Sequence, residues 1–122
     1  MQLTQESADF RFQLRSADGG LARVNDLELR RSFLLSPDRL VEDWRPRGID
    51  ELAPADMDAV LALEPALVLL GSGGSLRFPA AAVLAACLTR GIGIEVMDNA
   101  AAARTFNLLA GEGRRVVAGF LL

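Results

Sequence analysis

Gly71-Ser72-Gly73-Gly74-Ser75 and Asp98 are the residues of this chain whose types and spacing could do chemistry. The glycines follow an apolar run, Ala66-Leu67-Val68-Leu69-Leu70, and precede an alanine-rich stretch, as in a strand that turns into a helix. Backbone amides left bare at such a sheet end can hold an anion or a carboxylate. The stricter motifs fail. A P-loop needs a lysine after the second glycine, and this chain contains none. A dinucleotide fingerprint needs glycine or alanine where Leu76 stands, and Arg77, Phe78 and Pro79 delay the helix. Gly71, Ser72, Gly73, Asp98 and Asn99 are therefore the candidate ligand-binding residues, the alternative being a turn that simply needs positive φ. Asp98 could act as a base, but a carboxylate at a helix N-terminus is stabilised as the anion, and capping explains it more cheaply.

No histidine, tyrosine or lysine occurs, so Ser72 and Ser75 have no base to activate them, and no catalytic residue is assigned. The single cysteine, Cys87, sits among Ala85, Ala86 and Leu88, which reads as a packed helix face, not an activated thiol. No cluster of histidine, cysteine and carboxylates has metal-ligand spacing, and neither metal nor cofactor is expected.

These residues need elements to position them. At 122 residues with 51% apolar side chains, the chain is expected to form one domain, residues 1–122, with a core that needs no disulfide. The net charge of −3 argues against nucleic acid as a partner. All 13 basic residues are arginine, which uniform codon bias would produce. The apolar runs are too short to span a bilayer, and MQLTQESADF lacks the regions of a signal peptide. With one cysteine and no leader, a cytoplasmic location is expected.

Two sections emerge along the chain. Residues 10–35 are β-rich: Phe10–Arg15 alternates, Asp18-Gly19-Gly20 turns, and Leu21–Val24 and Leu27–Leu35 are strands joined at Asn25-Asp26. Residues 37–53 form a polar connection in which Trp44 either pins the loop to the core or serves as an exposed anchor. Residues 54–122 read as a βαβαβ-type section. A helix runs from Pro54 to Pro65, a buried strand covers 66–70, and a helix buried against the sheet runs from Pro79 to Arg90, capped by Gly91. A parallel strand, 92–97, follows, then a helix from Asp98-Asn99 to about Ala110 and a last strand, 115–121. The fold class is α/β.

The C-terminal half carries a resemblance. Gly71 and Gly73, then Arg90-Gly91-Ile92, Glu95-Val96, Asp98, Ala102, Thr105-Phe106-Asn107 and Glu112-Gly113-Arg114 resemble one small family of unknown function. It is the DUF498 family of Mth938-like domains, which includes the mitochondrial complex I assembly factor 3. The resemblance spans about residues 10–122, and Asn99 stands where many members have threonine. It implies a three-layer β/α fold with a central mixed sheet. It further implies a non-catalytic protein-interaction module, an assembly factor for respiratory NADH dehydrogenase or another membrane complex. The partner would be a protein, with any membrane association peripheral and through that partner. The other reading is a small-molecule or anion-binding protein, or an enzyme, using the crevice after strand 66–71.

Asn107 and Arg114 are carried over by the resemblance but not explained by periodicity. Asparagine is a poor helix former, so Asn107 either satisfies backbone groups near the 111–113 turn or belongs with Arg114 to a partner surface.

Overall fold

A computed structural model describes residues 12–122. Among the described residues, eight strands form two sheets. The smaller is an antiparallel meander of β1 (Leu14–Ala17), β2 (Ala22–Val24) and β3 (Leu27–Leu29). The larger contains β4 (Phe33–Leu35), β5 (Leu40–Val41), β6 (Leu67–Gly71), β7 (Gly93–Met97) and β8 (Val116–Phe120), in the order β5-β4-β8-β6-β7. Strands β6, β7 and β8 are parallel, whereas β4 runs antiparallel to both β5 and β8. The sheet is mixed, as the resemblance implies. Three helices cover it: α1 (Met57–Leu61), α2 (Ala81–Leu88) and α3 (Asn99–Gly111).

The period-2 alternation of the central strands divides the interior into two cores. Phe33, Leu35, Leu69, Val116, Ala118 and Phe120 face α3 and the small sheet. Leu34, Val68, Leu70 and Val117 face α1, α2 and Trp44. Phe33 and Phe120 are direct partners across β4 and β8, and their rings stack with centroids 5.0 Å apart. Both are fully buried, which for a phenylalanine is worth about 1.5–3 kcal/mol each. Three layers result, with the mixed sheet in the middle.

Several boundaries differ from the sequence expectation. Residues 27–35 are not one strand: the chain leaves the small sheet at Leu29, bends through Arg30–Ser32 and enters the large sheet at Phe33. Ser32 fixes that bend from a distance, its backbone oxygen accepting the Trp44 amide and its hydroxyl accepting the Leu122 amide. The polar connection contains β5 and a 3-10 turn at Ile49–Glu51. The helix expected from Pro54 begins as a 3-10 turn, Pro54–Asp56, and its α-helical part stops at Leu61; Glu64 takes a positive φ of 59° before Pro65. Of the strand expected at 10–15, Phe10 and Arg11 lie outside the described residues.

The largest difference concerns α2. It is shorter than 79–90, and only Val83 and Cys87 are buried; Ala81, Ala82, Ala85 and Leu88 are exposed. Alanine builds a good helix whichever way it faces, so an alanine-rich helix carries no reliable mark of its buried side. The neighbouring β7 lies at the sheet edge and is exposed or half-buried throughout, not enclosed on both faces.

Candidate functional site

The parallel strands end where a ligand crevice would be expected. The chain leaves β6 toward α2 on one face and β7 toward α3 on the other, so the gap between their C-terminal ends is a topological switch point. Gly71, Ser72, Gly73, Asp98 and Asn99 meet there. The Ser72 amide donates to the Met97 carbonyl, and the Asn99 amide donates to the Gly73 carbonyl at 2.8 Å.

Asn99 dominates the gap. It is completely buried. Its Oδ1 accepts the Gly73 amide at 3.1 Å, while Nδ2 donates to the Asp18 carbonyl at 2.7 Å and the Leu121 carbonyl at 2.9 Å. One N–H and two carbonyls as partners fix the orientation of the carboxamide. Three segments far apart in sequence, the β1–β2 turn, the glycine turn and the end of β8, are tied together by this side chain. Gly71 is glycine for the same reason: a Cβ there would overlap Asn99 Oδ1 and come within 3.1 Å of Phe120 Cδ1. Gly73 has φ of 117°, which favours glycine on conformational grounds.

The other groups are also committed. Ser72 Oγ donates to the Ser75 carbonyl and accepts the Arg77 amide, closing the glycine turn on itself. Asp98 Oδ1 accepts the Ala101 amide at 2.8 Å, which makes it the N-cap of α3. Over the gap lies the β1–β2 turn. Gly19 packs on Gly74, and the Asp18 carboxylate accepts the amides of Gly20 and Leu21, which hold its carboxyl below the usual carboxylate range.

Trp44, Asn107 and Arg114 lie elsewhere. Trp44 is 6% exposed, its ring stands where a Cβ on Gly119 would be, and Nε1 donates to the Asp56 carbonyl. Beside it, the Arg45 guanidinium grips both oxygens of Asp56, whose side chain is only 8% exposed and which also accepts the Ala53 amide. The guanidinium contributes most to lowering the Asp56 carboxyl below its ordinary value. Sequence reasoning missed this pair, although charged residues flanking a tryptophan and a proline-started helix were its visible trace.

Asn107 is half-buried, and its side-chain hydrogen bonds go to β1 and not to the 111–113 turn. It pairs with Leu14 of β1, accepting the Leu14 amide at 3.0 Å and donating to the Leu14 carbonyl at 2.7 Å. Arg114 is exposed beside a shallow groove of about 280 Å³ shared with Pro37, Ala110, Gly113 and Arg115. Arg115 is bound to Asp38 and to the Leu63 carbonyl. Cys87 is fully buried, and burial pushes its thiol pKa up, which makes it a poor nucleophile. Among the described residues no three or more histidine, cysteine or carboxylate side chains could hold a metal, and no helix is long and apolar enough to cross a membrane.

Residues 14–121 match the family model of a protein of unknown function, DUF498/DUF598. An NMR structure from Xanthomonas campestris is 57% identical, with TM-score 0.84, covering 99% of this chain and 92% of that one. A crystal structure from Bordetella parapertussis is 28% identical, with TM-score 0.83, covering 90% of this chain and 94% of that one. A Bordetella pertussis protein described as a Mth938-like domain shares the fold at 23% identity and TM-score 0.77, covering 90% of this chain and 85% of that one. No curated protein matches the chain.

Proposed function

We propose that this chain, which belongs to the DUF498/DUF598 family of proteins of unknown function, is a non-catalytic protein-interaction module. One observation carries the reading. At the switch point the chain's own groups occupy the ligand position: the Asn99 carboxamide fills the gap, the Asp18–Gly20 turn covers it, and Ser72 and Asp98 are spent on local hydrogen bonds. What would be a binding crevice serves as a joint. The joint gives the module a rigid framework, and its work is done on an outer surface to which Arg114 belongs. Trp44 and Asn107 hold that framework. The finer form of the proposal takes the partner to be a membrane-complex subunit under construction, respiratory NADH dehydrogenase first, met on the cytoplasmic side.

The test has two arms. Affinity purification of the tagged chain from cells that make it should recover a stable protein partner. A deletion strain with normal NADH dehydrogenase assembly removes the complex I form. In the second arm, nucleotides, phosphates and carboxylates are screened by thermal shift, since a ligand of the folded state raises the melting temperature by mass action. A reproducible rise that disappears in Gly73→Val would replace the interaction reading with the small-molecule one.

A further inference from the structure

We propose that the solvent face of α2, with the segment leading into it, docks an amphipathic helix of a partner protein whose apolar stripe is flanked by lysine or arginine. This names the partner chemistry for the module proposed above and rests on that reading. Leu76, Phe78 and Leu88 are 53%, 67% and 56% exposed, three of the five large apolar side chains so exposed among the described residues. Within α2 the exposed Ala81, Ala85 and Leu88 recur at i, i+4 and i+7, with Ala82 beside them. No charged residue occurs in α2. In the segment before it the only one is Arg77, whose guanidinium is bound to Asp50 at 2.9 Å. A helix exposed along an uncharged apolar face reverses the usual pattern for a surface helix and marks an interaction site. Alanines on that face let a second helix approach to about 8–10 Å between axes.

The charges beside the face select the occupant. The 3-10 turn Pro54–Asp56 and α1 pack against α2. The stretch from Ile49 to Glu64 that contains them has five acids, Asp50, Glu51, Asp56, Asp58 and Glu64, and no base. Arg77 and Arg45 neutralise Asp50 and Asp56, and Glu51 accepts the Arg47 amide. Asp58 and Glu64 have no side-chain partner among the described residues. On the edge strand β7, Glu95 is in register with Leu69 and belongs to the α3 side of the sheet, so the acids beside α2 lie on one border only. Arg90 stands beyond the C-terminal end of the helix. A second copy packed antiparallel here would set its acidic border against this one, and an anionic bilayer would be repelled. A helix with lysine or arginine beside its apolar stripe satisfies both the face and its border.

The probe is a displayed library of helical peptides with a fixed leucine-alanine stripe and flanking positions varied among lysine, arginine, glutamine, aspartate and glutamate, selected on the whole chain. The expected winners carry basic flanks. They bind at least about tenfold more weakly at high salt than at low salt, and at least about tenfold more weakly to Ala85→Arg. Ala85 is exposed, so that variant should keep the wild-type melting temperature. Asp58→Lys, also on an exposed position, is the second variant and should erode the preference for basic flanks without blocking the face. Acidic or neutral winners, winners that bind Ala85→Arg undiminished, a wild-type dimer that Ala85→Arg dissociates, or binding to anionic vesicles would each overturn the proposal. The two readings fail separately. A native partner that Ala85→Arg still captures leaves the module intact and refutes this surface, whereas a wild-type chain that captures no partner refutes the module.

Discussion

Asn99 holds three segments together, and replacing it tests whether the switch point is a joint. Asn99→Ala orphans the Leu121 carbonyl in the interior, which costs about 1–3 kcal/mol. The Gly73 amide and the Asp18 carbonyl lie nearer solvent, and losing a hydrogen bond there costs about 0.5–1.5 kcal/mol each. The expected total is about 2–6 kcal/mol, against about 6–18 kcal/mol for the whole stability of a chain this size. Urea unfolding should show the midpoint falling with the slope unchanged, and the melting temperature should drop by about 8–23 °C. A double-mutant cycle sharpens the test. Gly71→Ala alone pushes a methyl into Asn99 Oδ1 and against Phe120, an overpacking that costs about 1–3 kcal/mol. With Asn99 already alanine, the overlap with the carboxamide is gone and only the Phe120 contact remains. The two changes should therefore couple by about 1 kcal/mol or more. An Asn99→Ala chain within about 0.5 kcal/mol of wild type, or strictly additive changes, would refute the joint.

Gly119→Ala places a methyl within 2.8–3.0 Å of the Trp44 ring, so it should cost about 1–3 kcal/mol and shift tryptophan fluorescence toward that of an exposed indole. Because the Asp56 carboxyl is held below its ordinary value near 3.8, its pairing with Arg45 adds stability that is whole above that value and lost as pH falls through the folded one. Asp56→Asn should be less stable at neutral pH, and the gap to wild type should narrow as unfolding is followed from about pH 5 to pH 2. Asn107→Ala should cost about 1–3 kcal/mol and speed hydrogen exchange at the Leu14 amide, while partner capture survives wherever the variant stays folded. Unchanged stability with lost capture would instead move Asn107 to the partner surface.

What the sequence revealed was local, and what it hid was distant. The run from Leu67 to Met97 and the Asp98 cap were legible because period, glycine and capping chemistry act within a few residues. The break at Arg30–Ser32 was not, since Ser32 answers to Trp44 and Leu122. Asn107 was visible as a local misfit, but its partner Leu14 lies 93 residues away. Asn99 looked like part of a cap, and only the packing of Asp18 and Leu121 around it made it a hub. The exposure of α2 was invisible for a different reason: alanine suits either side of a helix, and the missing charge that makes the face unusual also made it look buried.

The position of β8 has a consequence in time. It comes after the other four strands of the large sheet in sequence and lies in the middle of that sheet, hydrogen-bonded to β4 on one side and β6 on the other. A ribosome delivers the chain from its N-terminal end. While residues 116–120 are still to be added, β4 has only β5 beside it, β6 has only β7, and Phe33 has no ring to stack on. Two small pairs of strands must keep their inner edges open, each a template for the wrong chain, until the final strand slides between them. Birth is therefore the vulnerable moment of this fold, and its completion is a single late event spanning most of the sequence, which makes folding slow for the size of the protein.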